Sequence, residues 1–387
     1  MKRAVLTTDH DDLRESFGRY LDAEVVPHYE EWERAGRIPR EALRRVGELG
    51  FLGFAVPAEY GGPGVEDFIF NAVLNEEACG RGLAAFALAI TMQNDVALPY
   101  VLELATEEQR RRWLPGIVSG DLVLAIAMSE PQTGSDLQGM GMRARRVDGT
   151  YMLSGSKTFI TNGLNADLII TAVRTGTSDT HADISLVMVA GDTPGFTRGR
   201  NLQKLGQHAQ DTAELFFDEA EVPVENLMGA EGEGFRYLTS NLAQERLSIA
   251  VGAVASARGV VQRAVEYTLD RRAFGRPVGT FQNSRFSLAA CRTEVEVAQA
   301  FVDRCLAALN DGALTPDEAA MAKYWCSEAQ GRVVDACLQL YGGYGYMLEY
   351  QIARDYADAR ISRIYGGTTE IMKEVIGRAM GLAEQRG

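Results

Sequence analysis

The chain changes character along residues 122–136, which read LVLAIAMSEPQTGSD. The first half of this stretch, Leu122–Met128, is an apolar run bounded by turn signals, a pattern typical of a buried strand. Asp148–Gly149 lies between two alternating stretches and indicates a hairpin. Further strand candidates follow in the same part of the chain: Leu168–Val173, Ile184–Val189 and Ala213–Phe217. Because no helical pattern separates them, we predict an antiparallel β domain over residues 121–229.

Helical patterns dominate the chain before this β domain, in residues 1–120. Apolar residues recur at helical spacing between Leu13 and Val25, and a second helical pattern covers Arg40–Leu49. Thr106–Gln109 is a capping box, in which the two end side chains satisfy unpaired N–H groups at the start of a helix. We therefore predict an N-terminal α-helical domain.

Helical patterns return after the β domain, in residues 230–387. Phe235–Arg272 contains no proline and predicts one very long helix, about 57 Å at 1.5 Å per residue. A second long helix is expected after Gln282. Thr315–Glu318 combines a capping box with proline at the first helical position and predicts the start of another. The chain is thus expected to be an α+β multi-domain protein, with its β domain between two helical domains.

The composition limits the classes of function. The 387 residues carry a net charge of −14, from 39 basic and 53 acidic residues, which argues against nucleic acid or an anionic membrane as partner. The five cysteines include no CxxC pair and the four histidines no HExxH motif, so we expect neither a disulfide framework nor a metal site. Apolar runs such as Leu83–Ile90 fall far short of the ~20 residues that span a bilayer. We therefore predict a soluble, cytoplasmic protein with no membrane span.

Five short motifs are more specific than these general features. They are Ala127–Asp136, Gly155–Gly163, Arg271–Gly275, Gln339–Gly343 and Tyr365–Glu370. The five motifs, in this order and spacing, resemble those of the acyl-CoA dehydrogenase family. Together with the succession of helical, β and helical parts, the resemblance covers nearly the whole chain. The resemblance implies the acyl-CoA dehydrogenase fold, in which the C-terminal helical domain is a four-helix bundle.

The resemblance also implies a function. It is that of a FAD enzyme that removes hydrogens from the α and β carbons of an acyl-CoA thioester and gives the trans-2-enoyl product. It further implies a homotetramer and an electron-transfer flavoprotein as the usual electron acceptor. Within the dehydrogenases, the alternative is a carrier-protein-bound or branched acyl substrate. Outside them, the alternatives are a flavin monooxygenase on the same scaffold and a non-catalytic protein that binds FAD or acyl-CoA.

Residue by residue, the resemblance assigns most motif positions to FAD. The residues expected along the flavin-facing segments are Ile126, Met128, Ser129, Ser135, Phe159 and Thr161, with Ser135 also a contact of CoA. The residues expected at the pyrophosphate and adenine half are Arg271, Phe274, Phe281 and Gln282, joined by Gln339 and Gly343 from a neighbouring subunit. Thr368 and Glu370 match further FAD contacts. Taken alone, each hydroxyl or glycine is also consistent with an ordinary structural role.

The reaction needs a carboxylate base beside the α carbon, and the position that supplies it in most relatives is Gly366 here. Glu245 is an alternative, because it shares a helical face with Leu242 and Ile249, and a glutamate on an apolar stripe is costly unless it is paired or functional. The long-chain and isovaleryl subgroups carry their base at this helix position, next to the arginine matched by Arg246. We therefore expect Glu245 to be the base and the chain to be most like the long-chain subgroup. The competing interpretation is an ion pair of Glu245 inside the helical bundle.

The expected mechanism follows from these positions. Glu245 abstracts the α proton while the β hydrogen leaves as hydride to flavin N5. The backbone N–H of Gly366 donates to the thioester carbonyl, where negative charge develops. Arg246, Gly367 and Ser135 are the further candidates for substrate binding. Pro99 is expected to interrupt a helix that lines the acyl pocket and so to widen it.

Overall fold

The computed structural model describes residues 3–176 and 183–382, and the first part of the chain is helical. Its helices are α1 (Thr8–Tyr20), α2 (Tyr29–Ala35), α3 (Arg40–Glu48), α4 (Ile69–Gly80), α5 (Ala84–Thr91), α6 (Leu98–Leu104) and α7 (Glu107–Ser119). The predicted capping box begins α7, since the Gln109 N–H donates to Thr106 Oγ1 and the Thr106 N–H donates to Gln109 Oε1. The prediction of an N-terminal helical domain is confirmed.

One π-helical turn, Met92–Ala97, joins α5 to α6, so Ala84–Leu104 is one continuous helical segment. With 21 residues and a mean hydropathy of 1.2, it is the one helix in the described residues long and apolar enough to cross a bilayer. The sequence predicted only apolar runs too short to span a bilayer, and this helix is an exception. It was missed because the polar residues Gln93–Asp95 divide its apolar stretch into two shorter runs. Of its most apolar window, 78% is buried inside the protein, as in a core helix.

The middle part forms one eight-stranded sheet within the described residues. Its strands are β1 (Leu124–Ala127), β2 (Arg143–Val147), β3 (Thr150–Thr161), β4 (Leu168–Arg174), β5 (Ile184–Ala190), β6 (Phe196–Asn201), β7 (Thr212–Pro223) and β8 (Leu227–Met228). They lie in the order β6-β7-β3-β2-β4-β5-β8, and β1 pairs with β4. The predicted hairpin joins β2 to β3, and Asp148 and Gly149 both have positive φ, 44° and 82°, as its tight turn requires.

The expectation of an antiparallel sheet needs one correction. β1 lies parallel to β4, with Leu124 opposite Leu168, and β2 also meets β4 in parallel where Arg143 faces Arg174. The remaining pairings between the named strands are antiparallel. A parallel neighbour is possible because the whole β2–β3 hairpin lies between β1 and β4 in the chain, which is enough length for a crossover connection.

The last part of the chain is built around α8 (Gly234–Asp270), a single helix of 37 residues that confirms the predicted long helix. The other elements are the hairpin of β9 (Arg272–Ala273) and β10 (Arg276–Pro277), and the helices α9 (Gln282–Asn310), α10 (Pro316–Tyr341), α11 (Gln351–Ala359) and α12 (Thr369–Ala379). α8, α9 and α10 pack around a core that includes Val254, Val302 and Val333. Val73 of α4 joins the same core, so the first and last parts of the chain pack directly together.

Candidate functional site

Glu245 lies on α8 with only 6% of the residue exposed. Its Oε1 accepts a hydrogen bond of 3.1 Å from the hydroxyl of Tyr100 on α6. Burial raises the pKa of Glu245 to about 7, although the Tyr100 hydrogen bond and the charge of Arg246 both act to lower it. Glu245 forms no salt bridge with any residue in the described part of the chain, which argues against the ion-pair interpretation. This carboxyl can therefore take up or release a proton near neutral pH.

Gly366 and Gly367 form the turn before α12, and both have a left-handed backbone, with φ of 63° and 96°. A Cβ atom at Gly366 would lie 2.4 Å from Cδ1 of Ile249 on α8. At Gly367 it would lie 2.7 Å from Cε of Met372. Ile249 follows Glu245 by one helical turn. A side chain at the position where most relatives are expected to carry the base would thus have to displace the end of Ile249, which lies on the same face of α8 as Glu245.

Two buried cations hold this turn through its carbonyl groups. Arg246 Nε donates to the Gly366 carbonyl at 3.4 Å, and Lys323 Nζ, on α10, donates to the Gly367 carbonyl at 2.6 Å. Burial lowers the pKa of Lys323 to about 8, and the charge of Arg246 acts in the same direction. Within the described residues the Gly366 N–H has no hydrogen-bond acceptor. The fixed turn therefore offers an unused N–H donor.

The predicted FAD contacts occupy both the sheet and the last helices. Ile126 is buried in β1, whereas Met128 and Ser129 are half-buried just beyond its end. The exposed members of the predicted set are Ser135, Phe159, Arg271, Phe274, Gln282, Gln339, Gly343 and Glu370. Exposure of so many polar and aromatic groups leaves them available to a ligand.

A buried ion pair fixes the segment that follows β1. Lys157 Nζ lies 2.9 Å from Glu130 Oε1, with both side chains almost inaccessible, and also donates to the Met128 carbonyl at 3.0 Å. The other Glu130 oxygen accepts from the Gly141 N–H at 2.6 Å. A buried pair is tolerated only when its donors and acceptors are satisfied, as they are here. The pair therefore holds the backbone of the segment against β3.

Phe159 is turned outward from β3 by an irregularity in the sheet. The pairing of β3 with β7 shifts register between Lys157 and Ile160, and Phe159 has a φ of 60°. Its side chain is 71% exposed. Bulges that redirect a side chain are common beside binding sites. Thr161 ends the same strand, so the two predicted flavin contacts of β3 lie close to the segment that Lys157 holds.

Three of the residues predicted for the other half of FAD line a separate cavity of about 450 Å³. Arg271, Gln339 and Gly343 all contribute to it, and the Arg271 guanidinium lies 5.3 Å from the centroid of the Tyr344 ring. The sequence prediction placed Gln339 and Gly343 on a neighbouring subunit, separate from Arg271. Within one chain the three residues border the same cavity, and the division between subunits stays a prediction.

Two other predicted pairs have contacts of their own. The rings of Phe274 and Phe281 meet edge to face with centroids 6.1 Å apart, and Phe274 is 95% exposed. Thr368 is the N-cap of α12, where its Oγ1 accepts from the Ile371 N–H at 3.3 Å, and Glu370 follows in the first turn. Thr368 thus caps the start of α12, in addition to its predicted role as a FAD contact.

Sequence reasoning missed the residues that support the site. Tyr100 carries no motif and is 145 positions from Glu245, so no sequence pattern connects the two. Lys157 lies within a motif but received no role. Lys323 did leave a signal, a lysine among the buried small residues of α10, of the same kind that drew attention to Glu245.

The residues present fit a flavin dinucleotide. Exposed Phe159 offers an aromatic face, and the Ser129 and Thr161 hydroxyls have no hydrogen-bond partner within the described residues, so both are available to a polar ring edge. The cavity of Arg271 and Gln339 offers a cation and an amide, which suit phosphate and a nucleobase. The described chain therefore has groups for both ends of FAD.

Three family models match the chain in order. The acyl-CoA dehydrogenase N-terminal domain matches residues 7–121, the middle domain residues 125–220 and the C-terminal domain residues 232–381. Together the matches extend over most of the chain.

Similar proteins and structures agree with these matches. The chain is 42% identical over 379 residues to the long-chain specific acyl-CoA dehydrogenase, mitochondrial, of Mus musculus, covering 97% of this chain and 87% of that protein. A crystal structure of acyl-CoA dehydrogenase from Geobacillus kaustophilus matches with a TM-score of 0.95 and 44% identity, covering 98% of this chain and all of that one. A glutaryl-CoA dehydrogenase of Mycobacterium smegmatis in complex with FADH2 matches with a TM-score of 0.91 and 27% identity, covering 99% and 97%.

Proposed function

This chain belongs to the acyl-CoA dehydrogenase family, and we propose that Glu245 is the base with which it removes the α proton of an acyl-CoA thioester. As a member of the family it is a flavoprotein oxidoreductase that acts on CH–CH bonds and uses FAD. We further propose a long-chain type of substrate. Its support is the likeness to the long-chain specific enzyme and the absence of a side chain at Gly366.

The observation that carries the proposal is the environment of Glu245. The carboxyl is buried, unpaired with any cation in the described residues, and has its pKa raised to about 7. A general base works best when its pKa lies near the working pH, and such a base contributes roughly 10²–10⁴-fold to a rate. A protein that only binds FAD or acyl-CoA would have no use for so costly a group, nor would a flavin monooxygenase.

The proposed mechanism uses groups that this chain holds in place. The free N–H of Gly366 donates to the thioester carbonyl, which acidifies the α proton and stabilises the negative charge that develops. Glu245 takes that proton, while Arg246 keeps the turn in place and binds the CoA arm beside Gly367 and Ser135. FAD, when bound, supplies the acceptor for the β hydrogen, which leaves as hydride. Removal of α proton and β hydride leaves the trans-2-enoyl thioester.

The proposal extends to cofactor residues and assembly. We keep the predicted FAD contacts, with Gln339 and Gly343 reaching each flavin from a neighbouring subunit. Exposed apolar residues beside this set, including Phe274, Tyr346 and Leu348, support an interface there. We therefore propose a homotetramer. We also propose an electron-transfer flavoprotein as the electron acceptor, and domain boundaries at 1–120, 121–229 and 230–387.

Anaerobic bleaching of the bound flavin by a panel of short, long and branched acyl-CoAs tests this function. Wild-type protein should bleach with at least one thioester, and Glu245→Gln should keep FAD bound while losing reduction by about 10²-fold or more. Glu266→Gln, an exposed glutamate on the same helix, is the matched control and should bleach normally. Unimpaired reduction in Glu245→Gln would reject the base. A wild-type protein that no acyl-CoA reduces would reject the dehydrogenase, and an inability to bind FAD would favour a non-catalytic protein.

A further inference from the structure

The π-helical turn and α6 lie along α8 on the side of the proposed base. Gln244 Nε2 donates to the Asp95 carbonyl at 2.8 Å, and Ser248 Oγ donates to Asp95 Oδ2 at 2.5 Å. Five residues after Asp95, the Tyr100 hydroxyl donates to Glu245 Oε1 at 3.1 Å. Asp95 and Tyr100 thus contact the same stretch of α8: Asp95 bonds to Gln244 and Ser248, and Tyr100 bonds to Glu245 between them.

The π turn brings the directions of these two side chains closer together. In a continuous α-helix, side chains five positions apart point about 140° apart, because each residue rotates by about 100°. Asp95 itself lies inside the π turn Met92–Ala97, where each residue rotates by less than 100°, so the angle between the two side chains is smaller than in a continuous α-helix. The two hydrogen bonds show that both side chains reach α8.

We propose that Tyr100 is a positioning residue, which holds the Glu245 carboxylate by one oxygen and favours its ionised form. This inference rests on the proposed role of Glu245 as the base. Tyr100 is fully buried, and burial raises its pKa well above the usual range, so its hydroxyl keeps its proton and remains a donor. Its bond occupies Oε1, which leaves Oε2 to take the proton from the substrate.

The charged groups around this pair come from each neighbouring element. Arg246 on α8 lowers the pKa of Glu245, and Glu103 on α6 raises that of Tyr100. Asp95 on the π turn faces Ser248, and the charge of Arg246 lowers the pKa of Lys323 on α10, beyond the glycine turn. Among these neighbours only Tyr100 hydrogen-bonds to Glu245 in the described residues. One substitution can therefore remove the hydrogen bond and leave the charges in place.

Tyr100→Phe tests the proposal through the pH dependence of flavin reduction. Loss of a hydrogen bond to the ionised form should raise the apparent pKa of the base by about one pH unit. Reduction should fall about tenfold below that pKa and return toward the wild-type rate at high pH. Tyr60→Phe, which removes the hydroxyl that donates to Glu107 at 2.6 Å, is the matched control and should leave the profile unchanged. A Tyr100→Phe rate lowered equally at every pH would overturn the proposal.

Two further measurements separate this proposal from the assignment of the base. Among the protonated-carboxyl bands in an infrared titration of the oxidised enzyme without substrate, the band that Glu245→Gln removes should shift to higher pH in Tyr100→Phe. Replacement of Tyr100 by 3-fluorotyrosine, a more acidic phenol of nearly the same size, should lower the apparent pKa instead, and serves if Tyr100→Phe fails to fold. An unchanged or higher value would overturn the role of Tyr100. If Glu245→Gln retains flavin reduction, the assignment of Glu245 as the base is wrong. If Glu245→Gln loses reduction but the pH profile of Tyr100→Phe is unshifted, only the positioning role of Tyr100 is rejected.

Discussion

At the scale of single residues, Ile249 links the glycine at 366 to the helix that carries Glu245. Ile249 occupies the space that a Cβ at Gly366 would need, 2.4 Å from its Cδ1, and it lies on the face of α8 that carries Glu245. Gly366 also has a φ of 63°, which disfavours other residues. A side chain at 366 would therefore have to adopt this backbone and displace the terminal methyl group of Ile249.

Gly366→Ala should consequently destabilise the protein by more than its backbone conformation alone explains. The left-handed backbone costs an alanine about 1–2 kcal/mol, and the contact with Ile249 adds to this cost. Gly64→Ala is the matched control, because Gly64 has a φ of 67° and no atom of the described residues within 4 Å of its Cβ position. In an Ile249→Ala background, Gly366→Ala should cost less stability than it does in the wild type. Thermal unfolding measures these differences, and equal losses for the two alanine variants would contradict the steric argument.

At the scale of elements, the sequence predicted those features of helices and strands that depend on residues close together in the chain. The capping box at Thr106, the turn at Asp148 and the unbroken length of α8 each depend on residues a few positions apart. The parallel pairing of β1 with β4 and the π turn before Tyr100 depend on contacts between distant segments, and neither leaves a local pattern. The same holds for the site. Motifs identified candidate residues, whereas the groups that hold them, such as Lys323, come from other elements.

Lys323→Met on α10 should separate activity from stability. The variant loses the 2.6 Å hydrogen bond to the Gly367 carbonyl, so the turn that presents the Gly366 N–H should become less fixed and kcat should fall about tenfold. It also removes a fully buried cation, so the free energy of unfolding should change little. Lys373→Met, an exposed lysine on α12, is the control and should alter neither quantity. An unfolding temperature that drops while kcat stays unchanged would show that Lys323 has only a structural role.

At the scale of the whole molecule, the helical, β and helical parts meet at Asp358 on α11. Its carboxylate accepts a hydrogen bond from the backbone N–H of Gln207, in the loop before β7. Its charge also raises the pKa values of Tyr29 and Cys79, which belong to the first helices. Burial raises the pKa of Asp358 from 3.8 to about 7, and nearby acidic residues act in the same direction. The junction of the three parts therefore contains a carboxyl group that favours its neutral form.

The pH dependence of stability follows from this shift. Asp358 keeps its proton in the folded chain up to about pH 7, whereas the unfolded chain loses it near 3.8. Between these values the folded state binds one more proton, so the free energy of unfolding falls as the pH rises. The contribution is complete below the unfolded pKa and is lost as the pH passes the folded one. Each pH unit in between corresponds to about 1.4 kcal/mol.

Asp358→Asn should therefore gain stability relative to the wild type as the pH rises, since asparagine keeps the acceptor for Gln207 and never ionises. From about pH 5 to about pH 8 the difference in unfolding free energy should move in favour of the variant by about 2.6 kcal/mol. Thermal unfolding of both proteins with bound FAD across this range measures it. Asp311→Asn, at an exposed turn, is the control, because its difference from the wild type should not depend on pH in this way. A constant difference between Asp358→Asn and the wild type would mean that Asp358 is already ionised in the folded chain.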